Sequence, residues 1–182
     1  RDMRPSVATG VETLKLVLAG IAAMGGDHRV LLAGDSQGAW VLGEAIQDPM
    51  LRSVVDRAVM MGHPSLAASH FPASDPNIIE INKPDDPVAT PVKGSPDDAV
   101  DTYNALYTFQ LWRLPLILKT LMLNPIHGKN LITSLISLIP GLKGNIRNPH
   151  GYDEVMNQVA AFLDSGDKTA FVQAVEGSVL LG

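Results

Sequence analysis

The 182-residue sequence predicts a single α/β domain, a parallel sheet with helices on its faces. Three observations carry that expectation. Short apolar runs at Arg29–Ala33, Asp56–Met61 and Asn77–Asn82 have the length and the turn-forming flanks of buried strands. Stretches of helical period precede and separate them, which favours crossover connections over hairpins. Apolar residues make up 46% of the chain and charged residues 18%, enough for one packed core.

Taken in order, the first element is a helix over Ser6–Met24. Ser6 is a candidate cap, Val7, Val11, Leu14, Val17, Leu18 and Ile21 keep the helical period, and Gly25-Gly26 ends it. The strand Arg29–Ala33 runs into a tight turn, Gly34–Gly38, and a helix resumes over Ala39–Gln47. The second strand stops at Gly62-His63-Pro64 and the third at Lys83-Pro84, with a polar loop around 72–76 between them. Asp97–Thr108 reads as helical. From Thr102 to Tyr152 there is no acidic residue, while Arg113, Lys119, Lys129, Lys143 and Arg147 give +5; the rest of the chain carries −10. Pro115, Pro125 and Pro140 break this block into two or three short helices. Residues 102–146 therefore read as a helical insertion, either a lid over a site or a subdomain packing its own core; its apolar helices also suit a dimer contact. A helix over Tyr152–Leu163 follows, and 167–176 can add another.

The balance of residues excludes several functions. The net charge is −5, the wrong sign for a general nucleic-acid binder. With no cysteine there is no disulfide, thiolate nucleophile or thiolate metal site. No uninterrupted apolar run has the ~18 residues of a membrane span; the best candidates, Leu114–Leu123 and Leu131–Leu142, are broken by Lys119, Ser134, Ser137 and Pro140. The first residue is Arg1 and no secretory signal is visible.

One motif carries chemistry. Gly34-Asp35-Ser36-Gln37-Gly38 matches G-x-S-x-G, set between a strand and a helix, the context of the nucleophile elbow of α/β-hydrolases. The strained turn lifts the serine hydroxyl out of the sheet, and the two glycines are expected to remove side chains that would strike the neighbouring strand and helix. The serine also sits at a helix amino end, where the Gln37 N–H favours developing negative charge. An ordinary glycine-flanked strand-to-helix turn would look the same in sequence.

A nucleophilic serine needs a base and a residue to orient it. In this fold they follow in the order serine, acid, histidine. His28 precedes Ser36, and His63 and His70 precede the acid, which leaves His127 and His150. His150 lies in Asn148-Pro149-His150-Gly151 just before the last long helix and is preferred; His127 lies inside the insertion. Asp85 and Asp86, past the third strand, are the candidate acids, although a solvated Pro-Asp turn is the bland alternative.

LLAGDSQGAWVLGEAI resembles the elbow of cutinase-like serine esterases, INKPDDPVAT their acid loop, MMGHP the Gly-x-Pro after the next strand, and NPHGYDEV their histidine loop. RPSVATGVETL and the long insertion between acid and histidine look closest to the lysin B enzymes of mycobacteriophages. The resemblance covers about residues 5–95 and 147–164 and implies a three-layer α/β-hydrolase fold. It selects Asp86 over Asp85, giving a triad of Ser36, His150 and Asp86, with the Gln37 N–H in the oxyanion hole. It implies hydrolysis of lipid or long-chain acyl esters, with the mycolyl ester of arabinogalactan as the lysin B substrate, and a secreted or cell-envelope setting. The family's chemistry needs no metal or organic cofactor.

Two departures stand out. Asp35 replaces the usual aromatic or histidine before the nucleophile. The one or two strands that the family places before its first helix are not visible, which would leave Arg29–Ala33 unpaired on one side and a second oxyanion donor unsupplied. The rival expectations are a secreted cutinase or lipase-like esterase, an acyltransferase, an inactive homologue that binds lipid or a partner, and a protein whose residues 106–143 insert peripherally in a lipid surface.

Overall fold

A computed structural model of the chain describes residues 3–64, 75–83, 86, 89, 101–102, 105, 111–125, 129, 132–133 and 152–166. Helix α1 (Met3–Met24) opens them. It starts before Ser6, so that serine lies inside the first turns and does not cap the helix as expected. Pro5 is tolerated there because first-turn N–H groups have no intrahelical acceptor. Val7, Val11 and Leu18 are buried, and Gly25 and Gly26, at φ 62° and 95°, turn the chain out of the helix. By length and composition alone, α1 is also long and apolar enough to cross a bilayer, although Glu12 and Lys15 interrupt its apolar run.

Three strands form one parallel sheet in the order β1 (Leu31–Asp35), β2 (Arg57–Met61) and β3 (Ile78–Ile81). Leu31 pairs with Arg57 and Asp35 with Met61; Ala58 pairs with Ile78 and Met61 with Ile81. All three carboxyl ends thus meet at one edge, where open parallel sheets place their sites. β1 starts two residues later than expected and runs into the glycine turn. Its approach is diverted, since the Val30 amide donates to Asp56 Oδ2 at 2.6 Å and Arg29 reaches across to Leu163 and Asp164. Among the described residues no strand lies outside β1, and Ala33 and Asp35 are exposed.

Helices cover both faces. Ala58 and Met60 of β2, with Ile78, pack against Leu18 of α1 and Leu42 of α2 (Gln37–Ala45). Val59, Met61 and Ile81 face the other way, onto Tyr152, Val159 and Phe162. The alternation along β2, buried on both faces, is the period of two that a central strand imposes. Each fully buried side chain of the size of Leu18 or Phe162 contributes about 1.5–3 kcal/mol. The second helix begins at Gln37, two residues earlier than expected, and a short α3 (Pro49–Arg52) that the sequence reading did not anticipate follows it. Asp48 caps α3 by accepting from the Met50 and Leu51 amides.

Of the expected insertion, the described part is chiefly a 3-10 turn, Leu111–Arg113, leading into α4 (Leu114–Leu123). Ile117 and Thr120 are its buried residues, and the Thr102 hydroxyl donates to that of Thr120 at 3.0 Å. Helix α5 (Met156–Ser165) starts later than expected, after a 3-10 turn at Asp153–Val155, and Tyr152 precedes both. Arg29 and Arg57 each donate to the carbonyls of Leu163 and Asp164. Cations on the last carbonyls of a helix satisfy groups that lack an intrahelical partner.

Candidate active site

Ser36 follows β1 directly and opens α2, with φ 55° and ψ −116°. Among the described residues it is the one non-glycine at positive φ. Such a backbone costs on the order of 1–3 kcal/mol and persists only where its surroundings enforce it. Here its N–H donates to the Met61 carbonyl at 2.8 Å and its carbonyl accepts from Trp40 N–H at 3.2 Å. The first bond ties the elbow to the end of β2 and the second to the first turn of α2.

The hydroxyl does not cap the helix it opens. A serine before a helix ordinarily has extended backbone and caps an amide two or three residues on. Ser36 has neither feature: its dihedrals are not extended and its side chain makes no capping bond. A plain strand-to-helix turn does not account for that combination. The flanking glycines differ from expectation. A Cβ on Gly34 would fall 2.6 Å from the Gly38 carbonyl carbon and oxygen, so glycine is required there. A Cβ on Gly38 would meet nothing within 4 Å, which corrects the expectation that both glycines relieve a clash.

Asp86 lies beyond β3 and is fully buried. Its N–H donates to the Lys83 carbonyl at 3.1 Å. Its carboxylate accepts from the Ala89 N–H on Oδ1 at 3.3 Å and from the Tyr152 hydroxyl on Oδ2 at 2.6 Å. Asp86 itself is therefore not a solvated turn residue. Tyr152, itself buried, accepts the Lys83 N–H at 3.0 Å on the same oxygen. Lys83 Nζ lies 4.7 Å from the tyrosine ring centroid and 2.6 Å from Glu154 Oε1. Burial first, then the Asp86 carboxylate, hold the Tyr152 phenol far above the ordinary tyrosine range, so it donates at any working pH. Asp35 adds to the same effect, which sets the residue before Ser36 within electrostatic reach of the acid loop.

Ser36, Gln37 and Asp86 thus all stand at the carboxyl edge of the sheet, on the ends of β1, α2 and the β3 loop. His150, His127 and Asp85 lie outside the described residues. Among the described residues no group of three or more carboxylates and histidines has the arrangement of a metal site.

Two residues at this edge escaped the sequence reading. The sequence pattern starts a helix at Tyr152; the partner of its hydroxyl lies 66 positions earlier, and no local pattern signals that pairing. His63 was set aside by chain order, yet it is fully buried just past β2, with Nδ1 3.3 Å from Glu80 Oε1. Its N–H donates to Asn82 Oδ1, and Asn82 Nδ2 donates to Glu80 in turn. The opposite edge holds an open cavity of about 650 Å³ lined by His28, Arg29, Arg52 and Arg57 among others. Its arginines are committed: Arg52 to Asp75, Arg29 and Arg57 to the end of α5.

The chain matches no protein-family model, and comparison with curated proteins and with solved structures finds no match either.

Proposed function

We propose that this chain is a serine ester hydrolase with an α/β-hydrolase core and that Ser36 is its nucleophile. The observation that carries the reading is the backbone of Ser36, held at positive φ with its hydroxyl spent on no cap. Strain of this kind is retained where it aims a reactive group.

In the proposed reaction His150 removes the hydroxyl proton as Ser36 Oγ attacks the ester carbonyl. Asp86 holds the imidazole in the right tautomer and stabilises the imidazolium. The Gln37 N–H, first in α2, donates to the oxyanion. The imidazolium then protonates the departing alcohol, and water, deprotonated by the same imidazole, releases the acid and regenerates the serine. The burial and double hydrogen bonding of the Asp86 carboxylate support its part. Tyr152, two residues after His150 in the chain and hydrogen-bonded to Asp86, supports a base drawn from that segment.

The substrate class we propose is a lipid or long-chain acyl ester; the mycolyl ester of the lysin B enzymes is its most specific form. The outward side of α4 supports a lipid substrate. Leu114, Leu118, Met122 and Leu123 are exposed on it, and Trp112 on the 3-10 turn before it, within a block that carries five cations and no acid. Such a surface suits acyl chains and an anionic interface.

A fluorophosphonate probe together with p-nitrophenyl esters tests the reading. The wild-type chain is expected to be labelled at Ser36 and to hydrolyse the esters. Ser36→Ala and His150→Ala are each expected to lose turnover by about 10³-fold or more, and Asp86→Ala somewhat less. Folded wild-type protein that neither labels nor turns over would sink the esterase reading and leave the non-enzyme alternatives. Loss in His127→Ala with activity kept in His150→Ala would move the base into the insertion.

A further inference from the structure

We infer that Tyr152 is a positioning residue for the acid of this site: its phenol sets the place and the charge of the Asp86 carboxylate. The inference rests on the esterase reading above and extends it to a residue outside the triad. The geometry has three parts. The phenol donates to Oδ2 at 2.6 Å, while the Ala89 N–H holds Oδ1 at 3.3 Å, so both carboxylate oxygens are located by protein donors. The phenol oxygen in turn accepts the Lys83 N–H at 3.0 Å, and the Lys83 carbonyl accepts the Asp86 N–H. Tyrosine, Lys83 backbone and aspartate therefore close a ring in which none moves alone. Finally, the tyrosine ring packs on Val59, Met61 and Ile81 of the sheet and on Val159 and Phe162 of α5. The acid's orientation is thereby referred to the packed core between the sheet and α5.

A carboxylate oxygen accepts more than one hydrogen bond, so these contacts leave lone pairs for an imidazole. They also set how strongly the carboxylate attracts its proton. A donor on Oδ2 draws negative charge from the carboxylate and tempers its pull on an imidazolium. Removing that donor has two separable effects. The carboxylate loses its place, which slows the chemical step. The charge returned to it makes the base harder to deprotonate, which raises the midpoint of the acid limb in the pH profile.

The test is a pair of tyrosine replacements read by steady-state kinetics on p-nitrophenyl butyrate across pH. Tyr152→Phe is expected to lower kcat about tenfold with KM within twofold, and to move the acid-limb midpoint of kcat/KM upward by a few tenths of a pH unit. In a Tyr103→Phe, Tyr107→Phe background, where residue 152 is the single tyrosine, 3-fluorotyrosine keeps the ring and makes the phenol a stronger donor. That exchange is expected to move the midpoint down, and it serves even if Tyr152→Phe does not fold. A midpoint unmoved by the exchange, or a folded Tyr152→Phe with wild-type kcat and midpoint, overturns the assignment and leaves the esterase reading standing. Wild-type protein that neither hydrolyses the ester nor reacts with a fluorophosphonate at Ser36 overturns both.

Discussion

Ser36 stores conformational energy that its own replacement can release. Alanine keeps most of the cost of its backbone, because the penalty at φ 55° comes from the Cβ atom. Glycine removes it. Ser36→Gly is therefore expected to raise thermal or urea stability by about 1–2 kcal/mol while abolishing ester turnover. Unchanged or reduced stability would mean that the elbow is not strained. The flanking glycines give a matched control. Gly34→Ala drives a methyl into the Gly38 carbonyl and is expected to destabilise by about 2–3 kcal/mol; Gly38→Ala, which faces open space, should be near neutral. At this scale the sequence was informative because everything the motif encodes is local: a strand, five residues and a helix. It misled only about Gly38, since a pentapeptide pattern says where glycine occurs, not which neighbour excludes a side chain.

At the scale of elements, α5 and the turn before it form the junction with the acid loop. The α5 end is held by Arg29 and Arg57, and its entry by Tyr152 on Lys83 and Asp86. Neither attachment follows from helical periodicity. Both are long-range polar contacts, and both displaced boundaries that periodicity had placed. The sequence pattern puts Arg29 in the strand, where the structure uses it as a helix cap, and Tyr152 in the helix, where the structure uses it as a hydrogen-bond hub. The tyrosine also gives a pH dependence with a definite sign. Its folded pKa is raised above the ordinary value of about 10, so the unfolded chain loses this proton first as pH rises. Its contribution to stability is complete below about pH 10 and declines above it, with a slope of up to about 1.4 kcal/mol per pH unit. Urea titrations are expected to show the stability advantage of wild type over Tyr152→Phe shrinking from about pH 10 upward. An advantage that stays constant to pH 11 would show that the phenol ionises as freely in the folded chain as in the unfolded one.

At the scale of the whole molecule, the sheet and the two faces of its core were legible because strand length, glycine and helical period all pointed the same way. The role of the insertion was not. An apolar helix in a sequence can cover a core or face outward, and periodicity gives no sign of which. In α4 the buried positions are Ile117 and Thr120, while Met122 is 81% exposed, and Trp112 in the turn before it is 75% exposed. A helix that keeps Leu114, Leu118, Met122 and Leu123 exposed has apolar side chains to offer a surface. If that surface takes up acyl chains, its polarity should matter only for substrates that present a lipid interface. Leu118→Glu with Met122→Glu changes two exposed side chains and should leave the fold and the hydrolysis of p-nitrophenyl acetate within about twofold of wild type, as surface changes generally do. The same pair is expected to cut flotation with vesicles of phosphatidylglycerol and phosphatidylcholine, and to slow hydrolysis of a long-chain ester carried in them by about tenfold or more. Each buried methylene group contributes about 0.8 kcal/mol to such binding, so two acidic residues in place of two apolar ones suffice for a loss of that size. Equal losses on acetate and on the vesicle-borne ester would place the damage in the catalytic centre. No loss on either would leave α4 without a role in substrate uptake.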